Sequence, residues 1–213
     1  MITLEQLTVL GADFLANESN GRPEAENVFE MANRDSHVIL SAPHATNSFS
    51  NHKKKAVDLF TGEIVTALGQ ELNLSTIVRS KYMPERLQIS DYVIEQNLGG
   101  HFFLDIHGMS ANRDFELAVG TAFYSVQDYE SELDLIEALA EKYKIRLVVN
   151  HPDYCGWYGL TGSYQQHFKK PEVLQLEWRK DFRNYFAEPQ KVLEQTIPFL
   201  SDLASALNSR KKA

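Results

Sequence analysis

The sequence predicts a single-domain α/β protein in which helices cover a central β-sheet. Short apolar runs of strand length alternate along the chain with longer stretches in which apolar residues recur every three or four positions. Elements that alternate in this way are typical of a layered sheet. The chain has 213 residues, of which 43% are hydrophobic, enough for one sizeable core. We therefore expect one domain, spanning residues 1–213.

The first element is predicted to be an amphipathic helix over residues 1–16. Its apolar positions lie on one stripe and are Leu4, Leu7, Leu10, Phe14 and Leu15. The segment carries two acidic residues and no Lys or Arg before its apolar stretch, which is contrary to a secretory signal. A loop rich in Asn, Ser and Gly is expected over 17–23, followed by an edge strand over 27–31.

Strands and helices alternate clearly from residue 37 onward. Strands are predicted at 37–42, 75–79, 101–106, 116–121, 146–150 and 173–177. Helices are predicted at 56–73, 87–98, 128–143 and 189–207, the last with a kink at Pro198. Residues 151–171, rich in glycine and aromatic side chains, are expected to form a long loop, which usually indicates function or mobility. The terminal Arg210-Lys211-Lys212 is expected to be solvated and favourable to the helix dipole.

Composition excludes several classes of function. The 29 acidic and 21 basic side chains give a net charge of -8, so nucleic acid is not an expected partner. No apolar run approaches the ~18 residues that a membrane-spanning helix needs. The one cysteine, Cys155, cannot form an internal disulfide and is interpreted as a small packed residue, so the cytoplasm is the expected location.

Three apolar runs deliver a polar residue at or just beyond their ends, namely His44, His107 and Glu177. In an open α/β sheet the ligand crevice lies outside the carboxyl ends of the strands, where such side chains converge. Catalytic zinc takes three protein ligands and leaves one position open. Pro43 and Gly108 favour a change of chain direction beside the two histidines. His44 and His107 are therefore candidate zinc ligands, although either could instead be structural or bind substrate.

The third ligand must come from elsewhere, because the chain contains no H-E-x-x-H helix. Asp58 is predicted to open the helix after the first histidine, where it could bind metal or simply favour the helix dipole. Glu63 would be rotated by roughly 140° from Asp58 on a helix and is an alternative to it. His151 is a reserve candidate. Asp105 is expected to point to the same side as His107, either as its hydrogen-bond partner or as an ordinary buried carboxylate.

Glu177 is the candidate general base. Its apolar run predicts partial burial, and a buried carboxylate needs a cation, a hydrogen-bond partner or a shifted pKa. As a base it would take a proton from the attacking water and pass it to the leaving nitrogen. The alternative is a salt bridge with Arg179 or Lys180.

Together these residues resemble a known family. The motifs, in chain order, are Ala42-Pro43-His44, Lys55-x-x-Asp58-x-x-Thr61-Gly62, Asp105-Ile106-His107-Gly108, Gly120-Thr121 and Gln175-Leu176-Glu177. This series resembles the N-formylglutamate amidohydrolase family, itself similar to zinc carboxypeptidases, over residues 37–183.

The resemblance implies a three-layer α/β sandwich with a mixed, mostly parallel central sheet of the phosphorylase/hydrolase-like kind. It also implies one zinc ion held by His44, a carboxylate and His107, with Glu177 as the base that hydrolyses an amide near a carboxylate. Zinc carboxypeptidases take their carboxylate ligand three residues after the first histidine, where this chain has Asn47. Asp58 is the best substitute.

A substrate carboxylate calls for a guanidinium, which binds it through two parallel hydrogen bonds. Arg113 follows His107, and Arg179 and Arg183 follow Glu177, so all three are candidates, although each could be a surface cation. Tyr164 could close over the substrate or serve in packing.

The sequence as a whole predicts a zinc-dependent amidohydrolase that acts on a small molecule such as an N-formyl amino acid, on a C–N bond other than an ordinary peptide bond. The alternative is a non-catalytic protein that binds a metal or a small acid. The His107-Gly108 pair prompts a third interpretation, a histidine-nucleophile phosphatase, but Ile106 stands where that chemistry would want an arginine. The chain contains no G-x-S-x-G, which disfavours a serine hydrolase.

Overall fold

The computed structural model describes residues 1–32, 36–50 and 52–210, so Lys211 and Lys212 of the predicted tail lie outside the described chain. The strands are β1 (Phe29–Ala32), β2 (Val38–Ala42), β3 (Ser48–Ser50), β4 (Lys53–Lys55), β5 (Ser75–Arg79), β6 (Phe102–Met109), β7 (Leu117–Gly120), β8 (Leu147–Val149) and β9 (Val173–Arg179). The helices are α1 (Leu4–Ser19), α2 (Thr61–Leu72), α3 (Ile89–Glu95), α4 (Glu130–Tyr143), α5 (Leu160–Phe168), α6 (Pro189–Lys191) and α7 (Ile197–Arg210).

Within the described ranges, seven strands form one mixed sheet in the order β1-β5-β2-β6-β9-β7-β8, and β3 pairs with β4 in a separate hairpin. Parallel pairs join β5 to β2, β2 to β6, β6 to β9 and β7 to β8. Antiparallel pairs join β1 to β5 and β7 to β9. The sheet is therefore mixed and mostly parallel, as expected, and β1 is an edge strand.

Helices cover both faces of this sheet because successive strand residues point to opposite sides. Leu40 belongs to the core beneath α1, α2, α4 and α7, whereas its neighbour Ile39 belongs to the core beneath α3 and α5. Leu104 and Phe103 divide between the two cores in the same way. This arrangement confirms the predicted three-layer sandwich. No helix in the described part of the chain is long and apolar enough to span a membrane.

Strand order places a crevice between β2 and β6. After β2 the chain crosses to β5 on one side, and the next crossover returns it to β6 on the other side. Loops that leave neighbouring parallel strands in opposite directions open a crevice at their carboxyl ends. His44 follows β2 and His107 lies near the end of β6, so the topology brings both to this crevice.

Helix α2 begins at Thr61, not at residue 56, so the expectation that Asp58 opens this helix is wrong. Phe60 has a φ of 76°, a left-handed conformation that cannot continue a right-handed helix backwards. Asp58 therefore lies in the loop between the hairpin and the helix. The hairpin itself was not predicted.

Two further expectations are corrected. Strand β6 continues to Met109 because its ladder with β9 continues, so His107 and Gly108 lie within the strand and Gly108 does not turn the chain. The predicted loop over 151–171 contains α5, since Leu160 and Tyr164 lie one turn apart and both enter the core. The final helix is interrupted by a π-helical turn (Val192–Thr196) just before Pro198, whose missing N–H cannot continue the regular hydrogen-bond ladder.

A buried carboxylate links α2 to the segment of the chain that follows β9. Glu63 is fully buried, and its Oε1 accepts a hydrogen bond of 3.0 Å from the Tyr185 hydroxyl. Its Oε2 has no hydrogen-bond partner. Burial raises the pKa of Glu63 to about 7, so the protonated form is the one that the fold favours.

Glu63 should make stability decrease as pH rises. Its contribution to the free energy of unfolding is fully present below its ordinary pKa and is lost as the pH rises through about 7. The shift between its ordinary and its raised pKa corresponds to about 3 kcal/mol. We expect Glu63→Gln to match the wild type near pH 4 and to be more stable by up to this amount near pH 8. Denaturant unfolding at several pH values measures the difference, and a difference that is constant with pH would contradict the assignment.

Candidate active site

A cleft of about 640 Å³ opens at the carboxyl ends of the central strands. His44, His107 and Glu177 all line it, together with Lys55 and Arg79. The structure therefore brings the three strand-end residues of the sequence prediction into one cavity.

His107 is held in one orientation by a buried carboxylate. Its Nε2 lies 2.9 Å from Oδ2 of Asp105, which is fully buried and accepts a hydrogen bond of 2.7 Å from the Ser41 hydroxyl. Burial alone would lower the pKa of His107, but Asp105 and Asp58 raise it well above its usual value. The other nitrogen, Nδ1, lies on the side free of Asp105, and a metal could bind it in place of the proton that the raised pKa keeps there, an arrangement that metal-binding histidines commonly show.

Asp58 lies on that free side of His107. Its Oδ2 is 3.5 Å from Nδ1 of His107, and its backbone N–H donates a hydrogen bond of 2.9 Å to the carbonyl of His44. Burial would raise the pKa of Asp58, but its interactions with the two histidines lower it to about 2. The side chain is therefore an ionised carboxylate beside a histidine nitrogen.

The His44 ring lies against the His107 ring, with 5.2 Å between the centroids. Burial lowers the pKa of His44 to about 3, so the ring is neutral and has a nitrogen lone pair. That lone pair is engaged, because the Lys55 ammonium lies 3.0 Å from Nε2. His44 Nδ1 lies 3.4 Å from the Ser48 hydroxyl.

Glu177 stands beside His107 on the neighbouring strand, since the two residues are paired in the β6–β9 register. Its Oε1 accepts a hydrogen bond of 3.1 Å from the Gln175 amide. Burial, more than the neighbouring carboxylates, raises the pKa of Glu177 to about 7. The alternative partner Arg179 is engaged elsewhere, with Asp181 and Glu116.

The donor set can be compared with the needs of zinc. Two ligands about 2.1 Å from a tetrahedral zinc lie about 3.4 Å apart, and Nδ1 of His107 and Oδ2 of Asp58 are separated by 3.5 Å. Among the residues that the structure describes, no three His, Cys, Asp or Glu side chains are grouped closely enough to hold a metal as they stand. The donors fit zinc in type and two fit in spacing, while the third, His44, is held by Lys55.

None of the four predicted substrate-binding side chains, Arg113, Arg179, Arg183 and Tyr164, lines the cleft, and Arg183 is buried behind it. Arg113 reaches only its rim, through an ion pair of 3.0 Å with Asp153. Arg179 has the structural ion pairs given above and donates to the Arg113 carbonyl. Tyr164 is fully buried at the opposite end of the strands, where its hydroxyl donates to the His101 carbonyl, so its role is packing.

The remaining metal candidates also lie apart from the cleft. Glu63 faces Tyr185. Asn47 is a structural link, because its side chain joins the carbonyl of Glu18 to the N–H of Val57. His151 packs against Phe115 and Tyr154. Of the acidic candidates, only Asp58 lies beside the paired histidines.

Three cations that line the cleft, Lys55, Arg79 and Arg86, were not assigned a role from the sequence. Lys55 belongs to the motif that contains Asp58, but it ends the unpredicted hairpin, so the strand-end pattern did not place it beside His44. Arg79 ends the correctly predicted strand β5, next to β2 in the sheet. The strand-end rule that selects His44 and His107 would have selected Arg79 as well.

The sequence matches no protein-family model and no curated protein. The fold is similar to that of solved structures at low sequence identity. A bacteriophage poly-gamma-glutamate hydrolase has 12% identity and a TM-score of 0.57, with 88% of this chain and 91% of the other covered. N-formylglutamate amidohydrolase from Ralstonia eutropha JMP134 has 11% identity and a TM-score of 0.56, with 87% and 99% covered. A gene product of Agrobacterium tumefaciens has 14% identity and a TM-score of 0.54, with 88% and 97% covered.

These similarities show the fold. They include an N-formylglutamate amidohydrolase, so the resemblance seen in the sequence motifs is confirmed at the level of the fold. The coverage of nearly the whole length of each chain shows that the similarity extends well beyond the central sheet.

If zinc binds through His44, Lys55→Met should tighten its binding by about three- to tenfold, because the metal no longer has to displace an ammonium from Nε2. Lys53→Met, on the same hairpin strand and exposed, is the matched control and should leave the affinity unchanged. Competition against a chromophoric chelator measures both. Equal affinities for Lys55→Met and wild type would show that Lys55 does not compete with the metal.

Proposed function

We propose that this protein is a zinc-dependent hydrolase that cleaves the amide bond of an N-acyl amino acid, for example an N-formyl amino acid, or of a related small amide that bears a carboxylate. The observation that carries the proposal is the placement of His107 between two carboxylates, Asp105 and Asp58, beside Glu177 in one cleft. The shared fold supports it, since solved proteins with this fold include an amidohydrolase and a poly-gamma-glutamate hydrolase.

His44, Asp58 and His107 would hold the zinc ion, with Asp105 fixing the His107 ring from behind. A zinc ion in such a site supplies Lewis acidity toward a carbonyl oxygen and makes water a stronger nucleophile at neutral pH. His44 contributes a neutral nitrogen, and Asp58 a negative charge.

Glu177 would move the proton. With a pKa of about 7, it is partly deprotonated near neutral pH and can accept a proton from the attacking water. The same carboxyl group, now protonated, can donate that proton to the leaving nitrogen. Gln175 holds Oε1 of Glu177 by a hydrogen bond of 3.1 Å, which limits the orientations of the carboxylate.

Arg79 would bind the substrate carboxylate, in place of the four side chains expected from the sequence. It is buried in the wall of the cleft, where Nε donates to the Pro43 carbonyl at 2.9 Å and Nη2 to the Leu87 carbonyl at 2.6 Å. Its Nη1 has no hydrogen-bond partner among the residues that the structure describes. A guanidinium that is fixed by two carbonyls and retains an unused donor is suited to an anionic group.

A second candidate function is the non-catalytic binding of a small acid. The hydrogen bond between Lys55 and His44 favours it, because this bond occupies a nitrogen that a metal would need. The two functions differ in zinc content and turnover. A protein that carries zinc and hydrolyses N-acyl amino acids supports the hydrolase. One that binds carboxylic acids without zinc or turnover supports the alternative.

Glu177→Gln should lower kcat by about 10²- to 10⁴-fold while zinc remains bound, because the amide cannot accept the proton. In the wild type, kcat/KM should rise with pH through about 7 as Glu177 loses its proton, and the variant should lack this rise. Glu172→Gln, at the start of the same strand, is the matched control. Turnover by Glu177→Gln at the wild-type rate would remove Glu177 from the reaction.

Arg79→Lys should raise KM for an N-acyl amino acid by about tenfold, since a lysine ammonium cannot be fixed by both the Pro43 and Leu87 carbonyls and still direct a donor at the carboxylate. The primary amide of the same substrate lacks the carboxylate and serves as the control. Its KM should be high for the wild type and change little in the variant. A parallel increase for both substrates would show that Arg79 acts only on the shape of the cleft.

A further inference from the structure

Arg183 lies buried behind the cleft and joins three segments of the chain. It follows β9 after a single 3-10 turn, Lys180–Phe182, and is 6% exposed. Its Nη1 donates to the Leu59 carbonyl, Nη2 donates to the Met109 carbonyl at 3.2 Å, and Nε donates to the Trp178 carbonyl at 3.2 Å.

Each of these carbonyls belongs to a residue that lies one or two positions after a proposed site residue. Leu59 follows Asp58, Trp178 follows Glu177, and Met109 is two residues beyond His107. The guanidinium is planar and its N–H groups point in fixed directions, so the three carbonyls cannot shift independently while all three bonds are kept. One side chain therefore ties the loop before α2 to the paired ends of β6 and β9.

Gly108 has no side chain, which leaves space for this guanidinium. A Cβ atom on Gly108 would lie 2.5 Å from both Nε and Nη2 of Arg183, closer than such atoms approach. The guanidinium could not yield easily, since its nitrogens are bound on three sides. This close approach, rather than a turn, accounts for a glycine beside His107.

The positive charge of Arg183 is favourable in its surroundings, which contain several carboxyl groups. The carboxylates of Asp58 and Glu177 lie near enough to interact with it, as does Glu63 from the helical side. A buried guanidinium remains protonated in proteins, so it offsets part of the repulsion between the two cleft carboxylates.

We propose that Arg183 is a positioning residue of the cleft, which holds the loop that carries Asp58 against the paired strand ends that carry His107 and Glu177, by donating one hydrogen bond to each segment. The proposal rests on the proposed function only for the reaction that this positioning would serve. The contacts themselves can be tested without zinc or substrate.

Arg183→Lys tests the proposal, because lysine keeps the charge and loses the planar fork. Hydrogen exchange followed by mass spectrometry should show amide exchange about tenfold faster or more in 57–61, 107–111 and 177–181 together, with β1 unchanged. Arg179→Lys is the matched control, since Arg179 is an arginine four residues earlier, at the end of β9, with structural ion pairs. It should leave exchange in 57–61 unchanged.

The same variant should separate kcat from KM. Loss of positioning should weaken zinc affinity and lower kcat by about 10- to 100-fold, with KM within about threefold of the wild type, as is typical when a residue behind metal ligands is removed. Gly108→Ala leaves every polar side chain of the site in place but displaces the guanidinium. It should give the same pattern, and it decides the matter if Arg183→Lys does not fold.

The outcomes distinguish the two proposals. Faster exchange in all three segments supports the role of Arg183, and unchanged exchange in a folded Arg183→Lys, or faster exchange in 177–181 alone, overturns it. A wild type that neither binds zinc nor hydrolyses N-acyl amino acids would overturn the proposed function, while the exchange result would still decide on Arg183.

Discussion

The parallel pairing of β6 with β9 is the constraint on which the site depends. The register places His107 opposite Glu177 and Asp105 opposite Gln175. Because side chains alternate along a strand, these four residues point to one side, at the carboxyl end of the sheet. A slip of one residue would turn His107 into a helix-covered core and Ile106 into the cleft. The apolar residues between them, Leu174 and Leu176 among others, hold the register, so the core and the site are specified together.

The cleft gathers charges that would be costly to bury singly. Asp58 and His107 favour each other's charged forms, and Asp105 supports His107 from the other side. In the described part of the chain Glu177 has no cation within hydrogen-bond distance, and burial dominates its pKa. The result is one carboxylate that stays ionised, Asp58, and one that titrates near neutrality. This division is what a metal ligand and a general base would respectively need.

The sequence predicts those parts of the site that are carried by buried strands. The strands around Leu40, Leu104 and Leu174 are continuous apolar runs, and the residues at their ends follow from that pattern. The β3–β4 hairpin has no such pattern, because its second strand is three consecutive exposed lysines. The position of Lys55 follows only from the folded loop. Arg183 is still harder to predict, since its partners are backbone carbonyls, which leave no trace in the choice of side chains.

Two buried glutamates show why a shifted pKa does not identify a functional group. Burial raises the pKa of Glu63 and of Glu177 to about 7 in each case. Glu63 faces a tyrosine hydroxyl, Tyr185, beneath α1, and does not line the cleft that holds His107. Glu177 lines an open cleft beside His107 and can exchange its proton with a molecule bound there. The raised pKa of Glu63 affects stability, whereas the raised pKa of Glu177 suits the proposed general base. The two residues differ because Glu177 lines the cleft.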